Sequence, residues 1–263
     1  MDLNQALQTK FDLHMHTTAS DGDYTPAELV KKAYKCGLET IAITDHDTLD
    51  GIKEAQNAAE KYHITVIPAV ELSTKYNGNS VDILGYNISP SEELNETLKL
   101  LQVGRIDRAK RIIEKFNEIG FKITMEDVKE YSEDGVIARP HIAKAIVKKG
   151  YVADYQMVFD EYLADGKPCA LPKKVLTPKE GVEIIHQAGG LAVLAHPVYL
   201  ELQVVEQLLQ FPFDGIEVWH RNHKEEHRQL FKQLAQENQL IMTGGSDFHT
   251  DEHSLGEFGF TRA

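Results

Sequence analysis

The sequence predicts an α/β protein in which seven strands, mostly separated by helices, close into a barrel or form an open sheet. Short runs typical of buried strands recur along the chain, and helix-starting motifs lie between several of them. Both architectures place active-site residues at the carboxyl ends of the strands. The runs are FDLHMH, TIAIT, ITVIPAVEL, SVDILGY, LAVLAH, GIEVWH and LIMTGG.

Helix boundaries are marked by capping residues. Thr25-Pro26-Ala27-Glu28 is a capping box with proline at the first helical position, and Gly37 ends that helix. The same arrangement recurs at Thr177-Pro178-Lys179-Glu180, whose helix the Gly189-Gly190 pair closes. Further helices are expected over residues 48–61 and 224–237.

The middle of the chain has helical periodicity and little strand signal. Apolar residues from Leu94 to Phe116 are spaced like one helix face, and Arg139-Pro140-His141 opens another helix that Gly150 ends. We therefore expect residues 92–173 to form a helical insertion that acts as a lid over a barrel made of residues 1–91 and 174–263. Extra packing without substrate contact is the alternative.

Composition narrows the function classes. The chain has 263 residues and a net charge of −13, so an extended nucleic-acid footprint is not expected. No apolar run suits a membrane span or a signal peptide. Cys36 and Cys169 form no zinc or redox motif, and we expect both to be buried in a cytoplasmic protein.

Metal-binding residue types follow the strand runs. His14 and His16 are two positions apart, as are Asp247 and His249, and alternate residues of a strand point to one side. Three further residues of these types also follow strand runs. Imidazoles and carboxylates that converge from several strand ends are the ligands of a divalent-metal cluster. The three residues are His46, Glu71 and His196.

The segment FDLHMHTTASDGDYTPAELVKKAYKCGLETIAITDHDTLDG resembles the first two motifs of the polymerase-and-histidinol-phosphatase (PHP) superfamily. AVELST, DILGY, LAHP and TGGSDFH resemble its later motifs in the same order. The likeness is greatest to the stand-alone branch whose helical insertion carries an RPH motif, a branch of nucleoside monophosphate phosphatases and 5′-to-3′ nucleases. The resemblance implies a distorted (β/α)7 barrel that binds two or three divalent ions, usually manganese, zinc or iron.

The resemblance also assigns ligands to individual positions. His14, His16, Glu71 and Asp247 match the first metal site, with Glu71 as a bridge. A second site is matched by Asp21, His46 and His249. Glu71 and His196 match two ligands of a third site. The remaining ligand of the third site is commonly histidine, whereas this chain has Asp82. Three alternatives follow: Asp82 binds a harder metal ion, the third site is weak or empty, or Asp82 has only a structural role.

Substrate contacts are expected from residues outside the ligand set. Arg139 and His141 begin a helix in the insertion, where backbone N–H groups and a guanidinium suit phosphate, and the resemblance implies the same role. An ordinary surface arginine and a packing histidine are the alternative. His220 and His223 follow the run GIEVWH, and we expect His223 to contact the substrate, with a structural role as the alternative.

Together these features favour hydrolysis of a phosphate ester by metal-activated water. The expected substrate is a nucleoside mono- or bisphosphate, or the 5′ end of a short oligonucleotide. The alternatives are a histidinol-phosphate phosphatase, a metal-dependent amidohydrolase and a non-catalytic metal-stabilised module. An amidohydrolase usually has a carbamylated lysine on a middle strand, for which the sequence offers no candidate, and a decayed module would lack ligands.

Overall fold

The computed structural model describes residues 3–132, 137–164, 166–171 and 176–256. Within them are the seven strands that the sequence predicted, and they form one sheet whose spatial order follows the order of the chain. The strands are β1 (Phe11–Asp12), β2 (Thr40–Ile43), β3 (Thr65–Tyr76), β4 (Asn79–Tyr86), β5 (Leu191–Leu194), β6 (Gly215–His220) and β7 (Ile241–Gly245).

Helices connect most of these strands. The capping boxes predicted at Thr25 and Thr177 both form, and in each the threonine side chain accepts from the N–H of a glutamate that bonds back. The α-helices are α1 (Leu3–Ala6), α2 (Pro26–Lys35), α3 (Asp50–Tyr62), α4 (Glu92–Glu118), α5 (Met125–Lys129), α6 (Arg139–Lys148), α7 (Tyr155–Val158), α8 (Pro178–Gln187), α9 (Leu202–Leu208) and α10 (Glu225–Glu237).

Strand direction changes at β4. The pairs β1–β2, β2–β3, β5–β6 and β6–β7 are parallel, whereas β4 is antiparallel to both β3 and β5. A tight turn joins β3 to β4 as a hairpin, with Asn77 and Gly78 at φ of 47° and 89°. Because β3 continues past Glu71 to Tyr76, the hairpin extends along one side of the cavity described below.

The sheet is brought to near closure where the segment after β1 meets the segment after β7. The His16 N–H donates to the Phe248 carbonyl at 2.9 Å, and the Asp247 N–H donates to the His14 carbonyl at 2.8 Å. Gly245 permits this approach, since a Cβ there would lie 2.2 Å from the Cβ of His14. The distorted barrel expected from the sequence is therefore confirmed.

The first strand is shorter than its sequence run. Only Phe11 and Asp12 pair with β2, although FDLHMH was expected to be strand throughout. Side chains replace the ladder beyond that point. The Met15 N–H donates to Thr44 Oγ1 at 3.1 Å, and the His14 N–H donates to Asp12 Oδ1 at 3.3 Å. The chain thus leaves the ladder where the candidate ligands begin.

The helices between β4 and α8 have an apolar core of their own. Phe116, Ile142 and Val158 belong to one buried cluster formed by residues from this part of the chain. In contrast, Leu94 and Leu98 of α4 pack into the core that lies against the sheet. Packing therefore changes along α4, so this one helix joins the two cores.

The two cysteines, both expected to be buried, differ in their exposure. Cys169 is buried, but Cys36 is exposed, because it caps the C-terminal end of α2 at the surface; the prediction was wrong for Cys36. In the described part of the chain, every helix is too short or too polar to cross a bilayer.

Candidate metal centre

Glu71 lies at the centre of a buried group of histidines. Its Oε2 atom is 3.3 Å from His14 Nε2, 3.2 Å from His16 Nε2 and 3.2 Å from His46 Nδ1. Its other oxygen, Oε1, is 3.0 Å from His196 Nε2. One carboxylate thus faces four imidazoles from three strand ends, those of β1, β2 and β5, which is the arrangement expected of a ligand that bridges two ions.

Local backbone geometry brings these side chains together. His46 forms an isolated bridge with Glu71, and the Asp47 N–H donates to the Glu71 carbonyl at 3.0 Å. His196 follows β5 with φ at 23°, and Asp247 follows β7 with φ at 51°. These left-handed residues turn the chain out of the sheet at the point where a ligand is needed.

Asp21 and His249 belong, with His46, to the second group predicted from the sequence, and the ligand atoms of the three lie within 4.8 Å of one another. Asp21 Oδ1 is 3.3 Å from His249 Nε2 and 3.9 Å from His16 Nδ1. The loop that carries Asp21 is held by Asp45, which accepts bonds of 2.7 Å from the Thr17 N–H and the Ser20 hydroxyl. The loop is therefore tied to the end of β2.

Asp247 joins the cluster from the segment after β7, the last strand of the sheet order, and Asp82 joins it from β4 in the middle. Asp247 Oδ1 is 3.5 Å from His14 Nε2 and 3.3 Å from His16 Nε2. Asp82 shares a group with His46 and Glu71 in which the candidate ligand atoms lie within 4.8 Å of one another. All nine candidate ligand positions therefore meet at one end of the barrel. Whether each binds an ion stays a prediction.

The ligand atoms fit a metal centre because several are buried without a hydrogen-bond partner among the described residues. Native proteins seldom leave buried polar atoms unpaired, and a bound metal ion would give these atoms a partner. Each atom could supply a lone pair to a divalent ion. These atoms are His14 Nε2, His16 Nε2, Asp21 Oδ1, His46 Nδ1 and Glu71 Oε2.

In the metal-free chain, protons balance the charges of this cluster. Burial alone would lower the pKa of His16, but the adjacent carboxylates of Asp247 and Glu71 outweigh it and raise the pKa to about 10. The pKa of His196 rises to about 9, where burial is again outweighed by Glu71. For His46 burial prevails and lowers the pKa. Metal ions would replace the protons of the first two residues.

Sequence reasoning missed Glu217, a buried carboxylate behind the ligands. Its Oε1 is 3.1 Å from His14 Nδ1, and its Oε2 accepts the His196 N–H at 2.8 Å. Bonding at Nδ1 leaves Nε2 of His14 as the nitrogen that faces Glu71, and such partners orient ligating histidines. The signal available in the sequence was an acidic residue inside the otherwise apolar run GIEVW.

A second missed contact joins α4 to the ligands. Arg105 donates from Nε to Asp47 Oδ2 at 2.7 Å and from a terminal nitrogen to Ser73 Oγ at 2.9 Å. Asp47 in turn accepts the Ser73 N–H at 2.9 Å. Asp47 follows His46, and Ser73 lies two residues after Glu71. The ion pair therefore connects the insertion to two ligand segments.

The candidate ligands open onto a cavity of about 800 Å³ between the barrel end and the insertion. Asp21, His46, Asp82 and Asp247 line it on the barrel side, and Arg139 lines it on the insertion side. The cavity thus places a cation of the insertion above the acidic ligand cluster. Other residues around it include Lys75 and Ser80 of the hairpin, Arg105 and Arg108 of α4, Tyr155, Phe159 and Tyr199.

The predicted substrate residues differ in their surroundings. Arg139 donates to the Leu163 carbonyl at 2.9 Å and faces the cavity. His141 is buried, its Nδ1 accepts the Ala138 N–H at 3.2 Å, and burial lowers its pKa to about 4. It is therefore neutral near pH 7, with Nε2 carrying the hydrogen. Their contact with substrate stays a prediction.

His223 lies deeper than the sequence suggested. Its Nδ1 bonds to the Val218 carbonyl at 2.8 Å, and its ring packs on His220 and Phe231 with centroids 5.2 and 4.9 Å away. Burial lowers its pKa to about 4. Among the described residues, the cavity lining does not include His223, and its contact with substrate stays a prediction.

Comparison with known proteins gives consistent matches. The profile of the PHP domain matches residues 12–164. A 5′-3′ exoribonuclease of Haemophilus influenzae is 34% identical over 91% of this chain and 90% of its own. A 3′,5′-nucleoside bisphosphate phosphatase of Chromobacterium violaceum is 32% identical over 95% of this chain and 90% of its own.

One solved structure is similar to this protein over nearly the full length of both chains. It is a protein of Bifidobacterium adolescentis described as a metal-dependent phosphoesterase, with a TM-score of 0.88 and 32% identity, covering 94% of this chain and 91% of its own. Its agreement extends to the barrel and the insertion together. The chain therefore belongs to the PHP family and is a phosphoric ester hydrolase of its metal-dependent phosphoesterase branch.

Proposed function

We propose that this protein hydrolyses the phosphate ester of a small nucleotide or the 5′ end of a short oligonucleotide. The observation that carries the proposal is the convergence of unpaired, buried ligand atoms on Glu71 beneath a cavity that Arg139 also lines. The named relatives act on nucleic acid from the 5′ end or on nucleoside bisphosphates. Both substrates combine a phosphate ester with a nucleoside.

The ligand set suits manganese, zinc or iron, because it mixes imidazole nitrogens with carboxylate oxygens. Two ions would be held by His14, His16, Glu71 and Asp247 and by Asp21, His46 and His249, and a third by Glu71, Asp82 and His196. Bound ions supply two things, a water of lowered pKa and positive charge against the phosphoryl oxygens.

The chain's own residues have separate tasks. Glu217 orients His14, Asp45 holds the Asp21 loop, and Arg139 offers a guanidinium to phosphate oxygens. His196 and His249 are assigned as ligands and not as general bases, since ligation uses the lone pair that a base needs.

We also propose that residues 92–173 act as a lid. The apolar core of the helices in this region and the cavity between them and the barrel support this role. A lid would exclude water and complete the phosphate site. The bounds of the lid follow the sequence prediction.

The charge distribution of the protein favours small nucleotides over long nucleic acid as substrates. The net charge of −13 disfavours long polyanions, while Lys75, Arg108 and Arg139 place positive charge on the cavity wall. Several cations near one phosphoester site suit a second phosphate, as in a nucleoside bisphosphate.

The test combines metal analysis with a phosphate-release panel on the purified protein. Substrates are nucleoside 5′-monophosphates, 3′,5′-bisphosphates, 5′-phosphorylated oligonucleotides and histidinol phosphate, with amide substrates as the contrast. Release from nucleotides that stops after chelation and returns with manganese supports the proposal. Exclusive histidinol phosphate or amide hydrolysis, or full metal loading with no turnover, contradicts it.

A further inference from the structure

Tyr199 presents an exposed aromatic ring beside the candidate ligands. The residue follows β5, and its ring centroid lies 5.2 Å from that of the ligand candidate His196. The Asn222 side-chain amide donates to its hydroxyl, so the ring is held in one orientation. It is nevertheless 59% exposed and lines the cavity. An immobilised ring with a free face is a suitable platform for another flat group.

The insertion contributes a second exposed tyrosine to the same cavity. Tyr155 begins α7, is 40% exposed and packs against Phe159, with ring centroids 5.1 Å apart. Both rings line the cavity. Asp21 of the candidate ligand cluster lines the same cavity, and burial of the Tyr155 hydroxyl together with the Asp21 carboxylate raises the pKa of Tyr155.

Position distinguishes these rings from other exposed tyrosines. Tyr34 is 53% exposed, but it lies on α2, packs against Tyr62 with centroids 5.0 Å apart and is outside the cavity lining. Tyr199 and Tyr155 instead lie among carboxylates and arginines. A ligand that matches this cavity is anionic at one end and flat and aromatic at the other.

We propose that Tyr199 and Tyr155 form a stacking site for the base of a nucleotide whose phosphate lies at the metal centre. The inference rests on the proposed function and adds to it the part of the substrate that does not react. Every base has a flat face, so stacking accepts different bases. The site therefore selects nucleotides over base-free sugar phosphates without selecting a particular sequence.

The experiment compares ligands with and without the base. Phosphate release is measured on adenosine 5′-monophosphate and on ribose 5-phosphate. Binding is measured by calorimetry with the phosphonate analogues of both, in which a methylene replaces the ester oxygen, so the result does not depend on turnover. Variants are Tyr199→Ala, Tyr199→Phe and Tyr155→Ala, with the exposed Tyr34→Ala as matched control.

Removal of either cavity ring should weaken binding of the adenosine phosphonate by about tenfold, equivalent to about 1.4 kcal/mol and within the range for one stacked base. Binding of the ribose phosphonate should stay unchanged. Tyr199→Phe should retain most nucleotide affinity because the ring remains, and Tyr34→Ala should change neither ligand.

Two results would overturn the inference. Equal losses on both phosphonates would show that Tyr199 supports the phosphate site, and unchanged adenosine binding in both alanine variants would show that no base is stacked there. Failure of the proposed function looks different, since the wild-type protein would then release phosphate from no nucleotide in the panel.

Discussion

The ligand cluster has an inner and an outer part that differ in burial. The inner ligands are His14, His16 and Glu71, whose side chains are at most 1% exposed. Among the outer ligands, His46 and His249 are each 19% exposed. An ion at the inner part would be enclosed by preorganised protein, whereas the outer part meets substrate and solvent. The remaining outer ligands are Asp21, Asp82, His196 and Asp247.

This difference in burial indicates how one site can hold its metal ions firmly and still exchange substrate and product. The buried candidate ligands, with His14 oriented by Glu217, should retain an ion through many reaction cycles. Loss of the ion would leave their buried polar atoms without a partner. Ligands on the cavity wall can adjust as phosphate enters and leaves. Substitutions in the two parts should therefore have effects of different size and kind.

The largest effect is expected at the inner bridge. Glu71→Ala should abolish phosphate release and reduce metal content of the whole centre, because Glu71 faces four imidazoles. Metal content is measured by elemental analysis after gel filtration, with circular dichroism to check folding. A folded variant with the full metal content would contradict the bridging role.

Next in size is Arg139, which distinguishes phosphate binding from metal binding. Arg139→Ala should reduce kcat/KM by about 10²-fold, or about 2.7 kcal/mol. Metal content should stay unchanged, because arginine does not ligate. Lys144→Ala is the control on the same helix, since Lys144 pairs with Asp23 at the surface. Wild-type efficiency of Arg139→Ala on every substrate would mean that the insertion only packs.

Glu217 tests whether the inner part depends on its support. Glu217→Gln removes the negative charge and replaces one of the two carboxylate oxygens with an NH2 group, so the side chain can no longer accept from both His14 Nδ1 and the His196 N–H. We expect metal affinity to fall by about 10–100-fold, as for other partners of ligating histidines. Competition with a chelator measures this affinity. An unchanged affinity would show that burial alone orients His14.

Asp82 tests the outer part. Asp82→Ala should remove one metal equivalent without unfolding the protein, and Asp82→His should shift preference towards zinc. Ser80→Ala is the control, because Ser80 lines the same cavity on the same strand. If neither Asp82 variant changes the stoichiometry, Asp82 is structural and the centre holds two ions.

The smallest effect concerns protons released when metal binds. His16 and His196, with pKa values of about 10 and 9, are protonated near pH 7 in the metal-free chain and must lose those protons to ligate. His46, whose pKa is lowered, should release none. Apparent metal affinity should therefore rise with pH up to that range, which calorimetry in buffers of different ionisation enthalpy measures. An affinity independent of pH would contradict this assignment.

Sequence reasoning identified the candidate ligand positions because metal binding would restrict the residue types at strand ends. His14, His46 and Glu71 follow or lie within recognisable strand runs, and the structure brings them together. The number of strands was equally accessible, since each run is separated from the next by a turn or a helix. Local patterns were sufficient for both.

Contacts between distant segments were not accessible in the same way. Arg105 continues the buried face of Leu98 and Leu101, so its position in an apolar series was a signal that it needed a buried partner. Which carboxylate would meet it depends on how α4 crosses the barrel, and helical periodicity does not determine that crossing. The partner, Asp47, became known only from the structure.

The closure of the sheet has a consequence for biosynthesis. The segments after β1 and β7 hydrogen-bond to each other and carry His14, His16, Asp247 and His249, which are separated by most of the sequence. During synthesis, His14 and His16 therefore leave the ribosome long before Asp247 and His249. Contacts of such long range form late in folding. A nascent chain whose β7 is still inside the ribosome should therefore have no catalytic activity, although His14 and His16 have already emerged. Hydrolysis should begin only when β7 has closed the sheet.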